Sequence, residues 1–465
     1  VSVVLVGPSE SSGGRGACYD EGRIYRILDP MESWARLAEQ SLGRFADIAS
    51  SSGVDFYDES GILIFGVEDD FVRQTRDVAS KMGTTLLELT PAGIKERFPW
   101  LGVPETTQIG LLQTEKAGHL SPRKLLEAQL TLASRSGATY LDATVQSVER
   151  RAGDDGSLMI VSTADGNHVK ARNVLVAAGC YTSVLPLLPE SVVMTLTGAQ
   201  ALLVEISPED AARLNGMPSM IYEGPSVEEN YYLLPPIKYP DGSWLIKIGP
   251  SDVFAPPLKS AADMDAWFGN KRLTPAFENQ AKKAFAQLFP GTNAISWRAL
   301  VCVTDQTPTL NAYIDYLAPG WGICSGGNGW AAKSSDEIGF LAARMMTSPD
   351  HWGSPDMPRE WFRAVTPRQL TAGPEMRTAL AHVDACGEVL AERVAEALEH
   401  LTALLVNEPK LRRRRAELAR DLRQSLSLLW ERPPTVLCSA SGCACAPGHS
   451  FVAMHAFDVD VVVVL

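Results

Sequence analysis

The 465-residue sequence is poor in cysteine, in basic charge and in long apolar runs. Its eight cysteines are too sparse for the disulfide framework of a small secreted domain, so we expect reduced thiols and an intracellular, by default cytoplasmic, protein. The net charge of −13 disfavours a nucleic-acid partner. No run approaches the roughly 18 apolar residues of a membrane span, and we expect none. A peroxisomal location stays open, because no Ser-Lys-Leu address decides it.

Three apolar strands that lead into glycine loops are predicted far apart in the sequence. They cover residues 3–6 before Gly7, 174–176 before Gly179, and 321–325 before the loop of Gly326, Gly327, Asn328 and Gly329. Nucleotide-binding sheets collect such loops at the carboxyl ends of their strands. Each loop alone is weak evidence, because glycine also serves tight turns that bind nothing.

Helix signals are clearest at two proline-containing starts. Ser121 and Pro122 predict an N-cap and first turn for a helix that ends near Gly137. Thr274 and Pro275 predict a second helix, which ends near Pro290. Short alternating strands are predicted from Gly137 to residue 176, and residues 200 to 308 are mostly strand-like with one helix.

The region after residue 366 differs in composition and is rich in Ala, Leu, Glu and Arg. Leucines at helical spacing predict a helical hairpin over 366–432, which includes the arginine run 412–415. We interpret it as a docking or dimerising element, hence a protein-partner surface, with membrane or acidic-partner binding as alternatives. Residues 433–465 show no clear period and are interpreted as an irregular tail. Their Cys438, Cys443, Cys445 and His449 fit no standard zinc pattern, so no metal is predicted.

Four segments form a combination that is typical of one enzyme class. They are Gly22-Arg23-Ile24-Tyr25-Arg26, Trp244-Leu245-Ile246-Lys247-Ile248-Gly249, residues 297–308 around Cys302, and residues 326–335 with Lys333. With them, residues 1 to about 365 resemble the FAD-dependent amine oxidases typified by monomeric sarcosine oxidase, within the D-amino-acid-oxidase class. The resemblance implies an α/β, two-lobed fold: an FAD-binding Rossmann-like domain, N-terminally incomplete, and a mixed β-sheet substrate domain.

The resemblance also implies domain boundaries. The FAD-binding domain would comprise residues 1–66, 119–196 and 309–365, and the substrate domain residues 67–118 and 197–308.

The resemblance implies a role for each matching residue. Arg23 and Lys333 would hold a substrate carboxylate, Lys247 would assist the reduction of O2, and Tyr232 would line the substrate pocket. Cys302 would bind FAD covalently. Further FAD contacts would come from Arg26, Gly179, Gly327, Asn328 and Gly329. The residues by themselves leave plainer readings open, namely a surface arginine at Arg23, a solvated lysine at Lys247 and a buried free thiol at Cys302.

The sequence also departs from this family. The strand ending in G-x-G-x-x-G should lie about 30 residues before the first strand seen here. It is absent from the sequence, so we expect weak FAD binding or none. Gly7 stands where an acidic ribose ligand is expected, which leaves Glu10 as the candidate. Ser251, Thr304 and Tyr19 replace pocket residues usual in the family, so sarcosine is only one candidate substrate.

We therefore expect an FAD-dependent oxidoreductase that acts on a secondary or N-substituted amino acid and yields an imine and hydrogen peroxide. One alternative is an amino-acid dehydrogenase that uses another electron acceptor. The other is a flavin-free relic that serves as an interaction scaffold.

Overall fold

The structure is a computed structural model, and it describes residues 1–153, 156–250, 255–348, 352–372 and 458–465. Ser251, most of the predicted helical hairpin (366–432) and the Cys438 to His449 cluster lie outside the described residues. The proposed division into an FAD-binding and a substrate domain stays a prediction.

The strands and helices of the described residues follow in chain order. The strands are β1 (Val3–Gly7), β2 (Arg23–Tyr25), β3 (Tyr57–Asp58), β4 (Ile62–Gly66), β5 (Leu87–Leu89), β6 (Ile109–Gln113), β7 (Gly118–Leu120), β8 (Thr139–Asp142), β9 (Val145–Gly153), β10 (Gly156–Thr163), β11 (His168–Val176), β12 (Thr195–Ile206), β13 (Ser219–Glu223), β14 (Tyr231–Lys238), β15 (Trp244–Pro250), β16 (Pro257–Leu258), β17 (Ser296–Gln306), β18 (Tyr313–Ala318), β19 (Trp321–Ser325) and β20 (Asp458–Val464). The helices are α1 (Glu32–Ser52), α2 (Asp70–Met82), α3 (Pro91–Arg97), α4 (Pro122–Arg135), α5 (Pro208–Arg213), α6 (Ala261–Asn270), α7 (Pro275–Leu288), α8 (Ser335–Thr347) and α9 (Pro367–Ala372).

The two helices predicted from proline-containing starts are confirmed. The Ser121 hydroxyl accepts a hydrogen bond from Lys124 N at the start of α4, and α7 begins directly at Pro275. An N-cap oxygen satisfies an otherwise unpaired amide of the first turn, and proline at the first position removes another such amide. The local sequence therefore sets where both helices start.

The first large sheet has the order β18, β19, β11, β20, β1, β8, and β9 and β10 extend from the first half of β11. The strands from β19 to β8 run parallel to one another, while β18 is an antiparallel edge. Valines are frequent in β1, β11 and β20, because the inner strands of a parallel sheet are covered on both faces. The carboxyl ends of β1, β11, β20 and β19 therefore meet at one edge of this sheet.

Strand β20 was not expected from the sequence, which assigned no element to residues 433–465. It lies between β1 and β11 and pairs in parallel with both. Val462 and Val464 are buried on one face and Val461 on the other. A strand that is buried on both faces gives an apolar run, as residues 3–6 also do, but such a run alone does not distinguish a buried strand from a buried helical segment.

The second large sheet is mostly antiparallel and has the order β16, β12, β15, β14, β13, β4, β6, β5, with β17 paired to β12. Its apolar face packs on α7, which buries Phe277, Phe285 and Leu288. A third, small sheet has the order β2, β7, β3. The predicted mixed α/β architecture is thus confirmed. No helix in the described part of the chain is both long and apolar enough to cross a bilayer.

Candidate active site

The glycine loops predicted from the sequence come together at the carboxyl edge of the parallel sheet. Strand β11 leads into a 3-10 turn over Gly179–Ser183, and β19 leads into Gly326. The Ser325 hydroxyl donates a hydrogen bond to the Gly179 carbonyl at 2.9 Å, which ties the two loops to each other. This edge is where an open α/β sheet binds its ligands.

Asp305 holds the loop that follows β19. Its buried carboxylate accepts hydrogen bonds from the amides of Gly326 and Gly327, each at 3.1 Å, and its carbonyl accepts one from Asn328 N. Asn328 itself adopts a left-handed conformation with φ 51°, and its side-chain amide donates to the Gly326 carbonyl at 2.6 Å. Burial raises the pKa of Asp305 to about 6. The loop is thus fixed by β17, the strand that carries Cys302.

Asp20 joins two of the predicted site residues. Its carboxylate accepts from Lys247 Nζ at 2.6 Å and forms an ion pair with Arg23. The second carboxylate oxygen accepts from Glu21 N at 2.8 Å and from the Tyr239 hydroxyl at 3.1 Å. Lys247 also donates to the Gly22 carbonyl at 3.0 Å, so its ammonium is held by a backbone oxygen as well as by a side chain.

Burial is nearly complete at this cluster. Lys247 and Asp20 are 2% and 3% exposed, whereas Arg23 is half-buried. Burial and the neighbouring Arg23 guanidinium lower the pKa of Lys247 well below its usual range, against an opposing effect of Cys302. While Lys247 is protonated, two cations share one carboxylate here, and the group of three then carries one excess positive charge.

Tyr232 and Cys302 lie around Lys247. The ammonium of Lys247 is 5.6 Å from the centre of the Tyr232 ring, and that ring packs over Gly249 of the neighbouring strand β15. Cys302 is a free, half-buried cysteine on β17, opposite Ala199 of β12. Cys302 acts electrostatically to raise the pKa of both Lys247 and Cys18. The structure therefore brings Arg23, Lys247, Tyr232 and Cys302 into one region.

Lys333 belongs to a second buried cluster, with Arg26 and Asp29. Lys333 Nζ lies 3.2 Å and Arg26 Nη2 3.3 Å from the same Asp29 oxygen, as ion pairs without hydrogen-bond alignment. The Lys333 ammonium also lies 5.4 Å from the Trp34 ring centre and donates to the Trp330 carbonyl at 3.2 Å. Burial lowers the pKa of Lys333 to about 8, against the opposing effect of Asp29.

The two clusters are joined through one short stretch of chain. Arg23 starts β2 and Arg26 directly follows this strand, which packs against the 3-10 turn that carries Lys333. Among the contacts of the described residues, Lys333 pairs with Asp29 and Arg23 pairs with Asp20. The guanidinium beside Lys333 is that of Arg26, which has a buried Nε without a hydrogen-bond partner in the described structure.

Other predicted residues lie nearer the surface. Glu10 forms an ion pair with Arg123 in the loop after β1, and Gly179 is exposed with φ 50°. Thr182 follows Gly179 in the same turn, and its hydroxyl is buried without a hydrogen-bond partner in the part of the chain that is described.

Three carboxylates of the site were not predicted as site residues from the sequence, namely Asp20, Asp29 and Asp305. Asp20 looks like half of an acidic surface pair with Glu21, and Asp29 precedes a proline in an apparent turn. Asp305 gave the clearest signal, because it follows the apolar stretch of Val301 and Val303 on a strand. An acid in such a stretch needs hydrogen-bond donors, and the amides of a glycine loop supply them.

Comparison with known proteins gives one family match. The family model described as DAO, FAD dependent oxidoreductase, matches residues 3–345. No curated protein matches the sequence significantly.

Several solved structures share the fold. NikD, an unusual amino acid oxidase essential for nikkomycin biosynthesis, is 19% identical with a TM-score of 0.63, covering 79% of this chain and 98% of its own. L-proline dehydrogenase from P. horikoshii is 16% identical, with a TM-score of 0.60 and coverages of 78% and 96%. A thermally stable mutant of fructosyl peptide oxidase is 17% identical, with a TM-score of 0.61 and coverages of 77% and 92%. At these identities the likeness concerns the fold.

Proposed function

Because the chain belongs to the family of FAD dependent oxidoreductases, we propose that it oxidises the C–N bond of a secondary or N-substituted amino acid. The names of the fold neighbours support this choice, since they describe an amino acid oxidase, an L-proline dehydrogenase and a fructosyl peptide oxidase. The electron acceptor in this proposal is O2, and the products are an imine and hydrogen peroxide.

The observation that carries the proposal is the cluster of Arg26, Asp29 and Lys333. Two buried cations share one carboxylate, so the cluster has one excess positive charge while Lys333 is protonated. An uncompensated buried charge is costly, and a bound carboxylate would remove that cost. Arg26 Nε, which has no hydrogen-bond partner among the described residues, offers a donor to the same ligand. We therefore place the substrate carboxylate at Lys333 with Arg26, and assign Arg23 to the Asp20 cluster.

The residues at the sheet edge fit FAD as the cofactor. The Thr182 hydroxyl is a buried polar atom without a partner among the described residues, and the amides around Gly326 are fixed in place by Asp305. We propose that Gly179, Gly327, Asn328 and Gly329 hold FAD together with Thr182, and that Cys302 bonds to it covalently. When bound, FAD supplies a two-electron acceptor. Lys333 and Arg26 would orient the substrate so that its C–H bond faces that acceptor.

On the substrate side the reaction needs only water and the two-electron acceptor that bound FAD would supply, which would take up the hydride. The carbon that bears the amine loses a hydride, the nitrogen loses a proton, and a C=N bond forms. Water then adds to the imine and releases a carbonyl compound and an amine. The chain itself contributes binding and charge. The Lys333 cluster would hold the substrate carboxylate, and the Lys247 ammonium lies beside the Tyr232 ring.

The amino-acid dehydrogenase is the second candidate, and one observation favours it. Reduction of O2 is assisted by a positive charge that is free to stabilise superoxide. Here the Lys247 ammonium lies 2.6 Å from the Asp20 carboxylate, which offsets part of that charge. A different acceptor, such as a quinone or an electron-carrier protein, would not need an isolated lysine.

Substrate class is tested by pairing each amino acid with its amide. The full chain, loaded with FAD, is mixed anaerobically with N-methyl, cyclic and glycated amino acids, and flavin bleaching is recorded. We expect a carboxylate substrate to bleach the flavin, and its amide to bleach the flavin at a rate at least tenfold lower. The Lys333→Met variant should bind the carboxylate substrate more weakly than the native chain. Lys282→Met is the matched control, because Lys282 pairs with Glu278 on the outside of α7. Equal rates with acid and amide would refute the carboxylate site.

The acceptor and the cofactor link are tested on the same protein. After anaerobic bleaching, rapid reoxidation by air with stoichiometric peroxide supports the oxidase, and reoxidation only by a quinone dye supports the dehydrogenase. Flavin that stays with acid-precipitated protein, and is lost in Cys302→Ser but not in Cys324→Ser, supports the covalent link. A protein that is colourless after incubation with FAD and removal of the unbound FAD would favour the scaffold alternative.

A further inference from the structure

The central position of the parallel sheet is filled from the far end of the sequence. Strands β1 and β11 pair with β20 rather than with each other, so β20 bridges the two halves of the sheet. Neighbouring strands lie about 4.8 Å apart, so without β20 a gap about one strand wide would separate β1 from β11. We propose that β1 and β11 form an acceptor slot for a β-strand, that residues 458–464 of the same chain occupy it, and that FAD is retained only when the slot is filled.

Apolar burial supports a specific fit of the segment. Val462 is fully buried, and with Val464 it packs in one cluster with Val4, Val6 and Val174. Each fully buried valine is worth roughly 1.5–3 kcal/mol relative to an exposed one. This burial acts against the entropy cost of bringing together segments that are far apart in the sequence, and that cost grows only slowly with their separation.

The register is set by polar contacts at the start of the strand. The Asp460 carboxylate accepts from Ser2 N at 2.9 Å and from the Ser2 hydroxyl at 3.1 Å, and Asp460 N donates to the Ser2 hydroxyl at 3.0 Å. On the other side Asp460 forms an ion pair with Arg172. A slip by one residue would break these contacts and turn the buried valines to the opposite face.

The end of the strand reaches the edge where the glycine loops meet. Leu465 N donates to the Val6 carbonyl at 2.8 Å, and Ala177 N donates to the Val464 carbonyl at 2.7 Å. A Cβ on Gly7 would lie 2.6 Å from the Leu465 Cβ, so the close approach of Leu465 explains a glycine at this position. This close approach gives Gly7 a packing role that is separate from the acidic ribose ligand expected at its position from the family resemblance.

The link to the cofactor follows from this position and rests on the proposed function. The loop after β11 begins at Ala177, whose amide is held by Val464. That loop contains Gly179 and Thr182, which we assign to FAD. Removal of β20 from the slot would release the loop, so the site and the strand are coupled through a single backbone hydrogen bond and the sheet beneath it.

The placement of the strand is tested by engineered disulfides in the full chain. Leu5 and Val463 are partners in the register and both are half-buried, so Leu5→Cys with Val463→Cys should form an intrachain disulfide under mild oxidation. Val4→Cys with Val463→Cys is the matched control, because neighbouring residues of a strand point to opposite faces. Peptide mass spectrometry and non-reducing gels give the result. A cross-linked dimer, equal cross-linking in both variants or none in either would overturn the proposal.

The dependence of FAD on the slot is tested by weakening the strand and supplying it again. Val462→Lys in the full chain should lower FAD affinity at least tenfold, measured by quenching of FAD fluorescence. A synthetic peptide of residues 458–465 should restore binding, whereas the same peptide with lysine at the Val462 position should not. Unchanged FAD affinity in Val462→Lys, or no rescue, would overturn the cofactor link. If the native chain binds no FAD, the proposed function fails, and the disulfides still decide the strand placement.

Discussion

Four hydrogen-bond donors converge on the carboxylate of Asp20, and two of them are cations. Lys247 and Arg23 bind one oxygen, while Glu21 N and the Tyr239 hydroxyl bind the other. A buried carboxylate with this many partners orders its surroundings more than it adds net stability, because burying the charges costs about as much as their attraction returns. We therefore expect Asp20 to position the Lys247 ammonium.

The two partners of this ion pair should differ in the cost of their removal. Asp20→Asn leaves the buried Lys247 facing the half-buried Arg23 without a shared carboxylate, and we expect a loss of about 3–5 kcal/mol in the free energy of unfolding. Lys247→Met leaves Asp20 with Arg23, Tyr239 and Glu21 N, and we expect a loss of roughly 0–2 kcal/mol. Urea unfolding measures both. Asp77→Asn, on the exposed side of α2, is the control and should lie within about 0.5 kcal/mol of the native chain. Equal losses in the two test variants would contradict the shared-carboxylate arrangement.

Glu223 gives a pH dependence with a definite sign. Burial and the nearby Asp69 raise the pKa of Glu223 from 4.5 to about 8, and its carboxyl accepts from Asn230 Nδ2 at 2.5 Å. The folded state then binds a proton that the unfolded state has released, so the contribution of Glu223 to stability is largest below pH 4.5 and is lost as the pH rises to about 8.

Glu223→Gln should remove this contribution. The difference in unfolding free energy between variant and native chain should grow in favour of the variant by roughly 4 kcal/mol from pH 4.5 to pH 8. Urea unfolding at half-unit pH steps measures it, and the exposed Glu209→Gln serves as control. A difference that does not change with pH would show that Glu223 is ionised normally in the folded chain.

At the scale of single elements, β15 has to bring Lys247 and an aromatic ring close together. Gly249 makes room for the Tyr232 ring of the neighbouring strand, since a Cβ at this position would lie 1.9 Å from a ring carbon. Glycine inside a strand normally weakens it, and it is tolerated here because another group approaches closely.

Gly249→Ala should therefore destabilise the protein by roughly 1–3 kcal/mol, because the Tyr232 ring has to move. Gly43→Ala is the matched control in α1, where an added Cβ meets no atom within 4 Å. There alanine should stabilise by roughly 0.5–1 kcal/mol. Thermal unfolding compares the two variants, and a shift of the same sign in both would contradict the packing role of Gly249.

Elements with local signals were predictable, and those defined by distant partners were not. Helix α4 carries its own cap at Ser121, and α7 its own proline at Pro275. Strand β20 shows only a run of valines, and its meaning depends on β1, more than 450 positions away. The same holds at the site: Lys247 could be singled out by resemblance, whereas its partner Asp20 is fixed only by the fold.

At the scale of the whole molecule, the strand pairs of this sheet differ in how far apart the paired strands lie in the sequence. Strands β9, β10 and β11 pair within residues 145–176, whereas β20 pairs with β1 across almost the entire chain. Closing a long loop costs entropy before the contact returns any energy, so contacts between distant segments tend to form late in folding. The central strand should therefore be the last part of this sheet to assemble.

Two matched valine substitutions test this order. Val161 in β10 and Val462 in β20 are both fully buried, so alanine at either position should cost about 1–3 kcal/mol. Val462→Ala should appear almost entirely as faster unfolding, because its contacts are absent from the transition state. Val161→Ala should slow refolding. Stopped-flow refolding and unfolding in urea measure both rates. Slower refolding in Val462→Ala would mean that β20 enters the sheet early and guides the assembly of β1 and β11 around it.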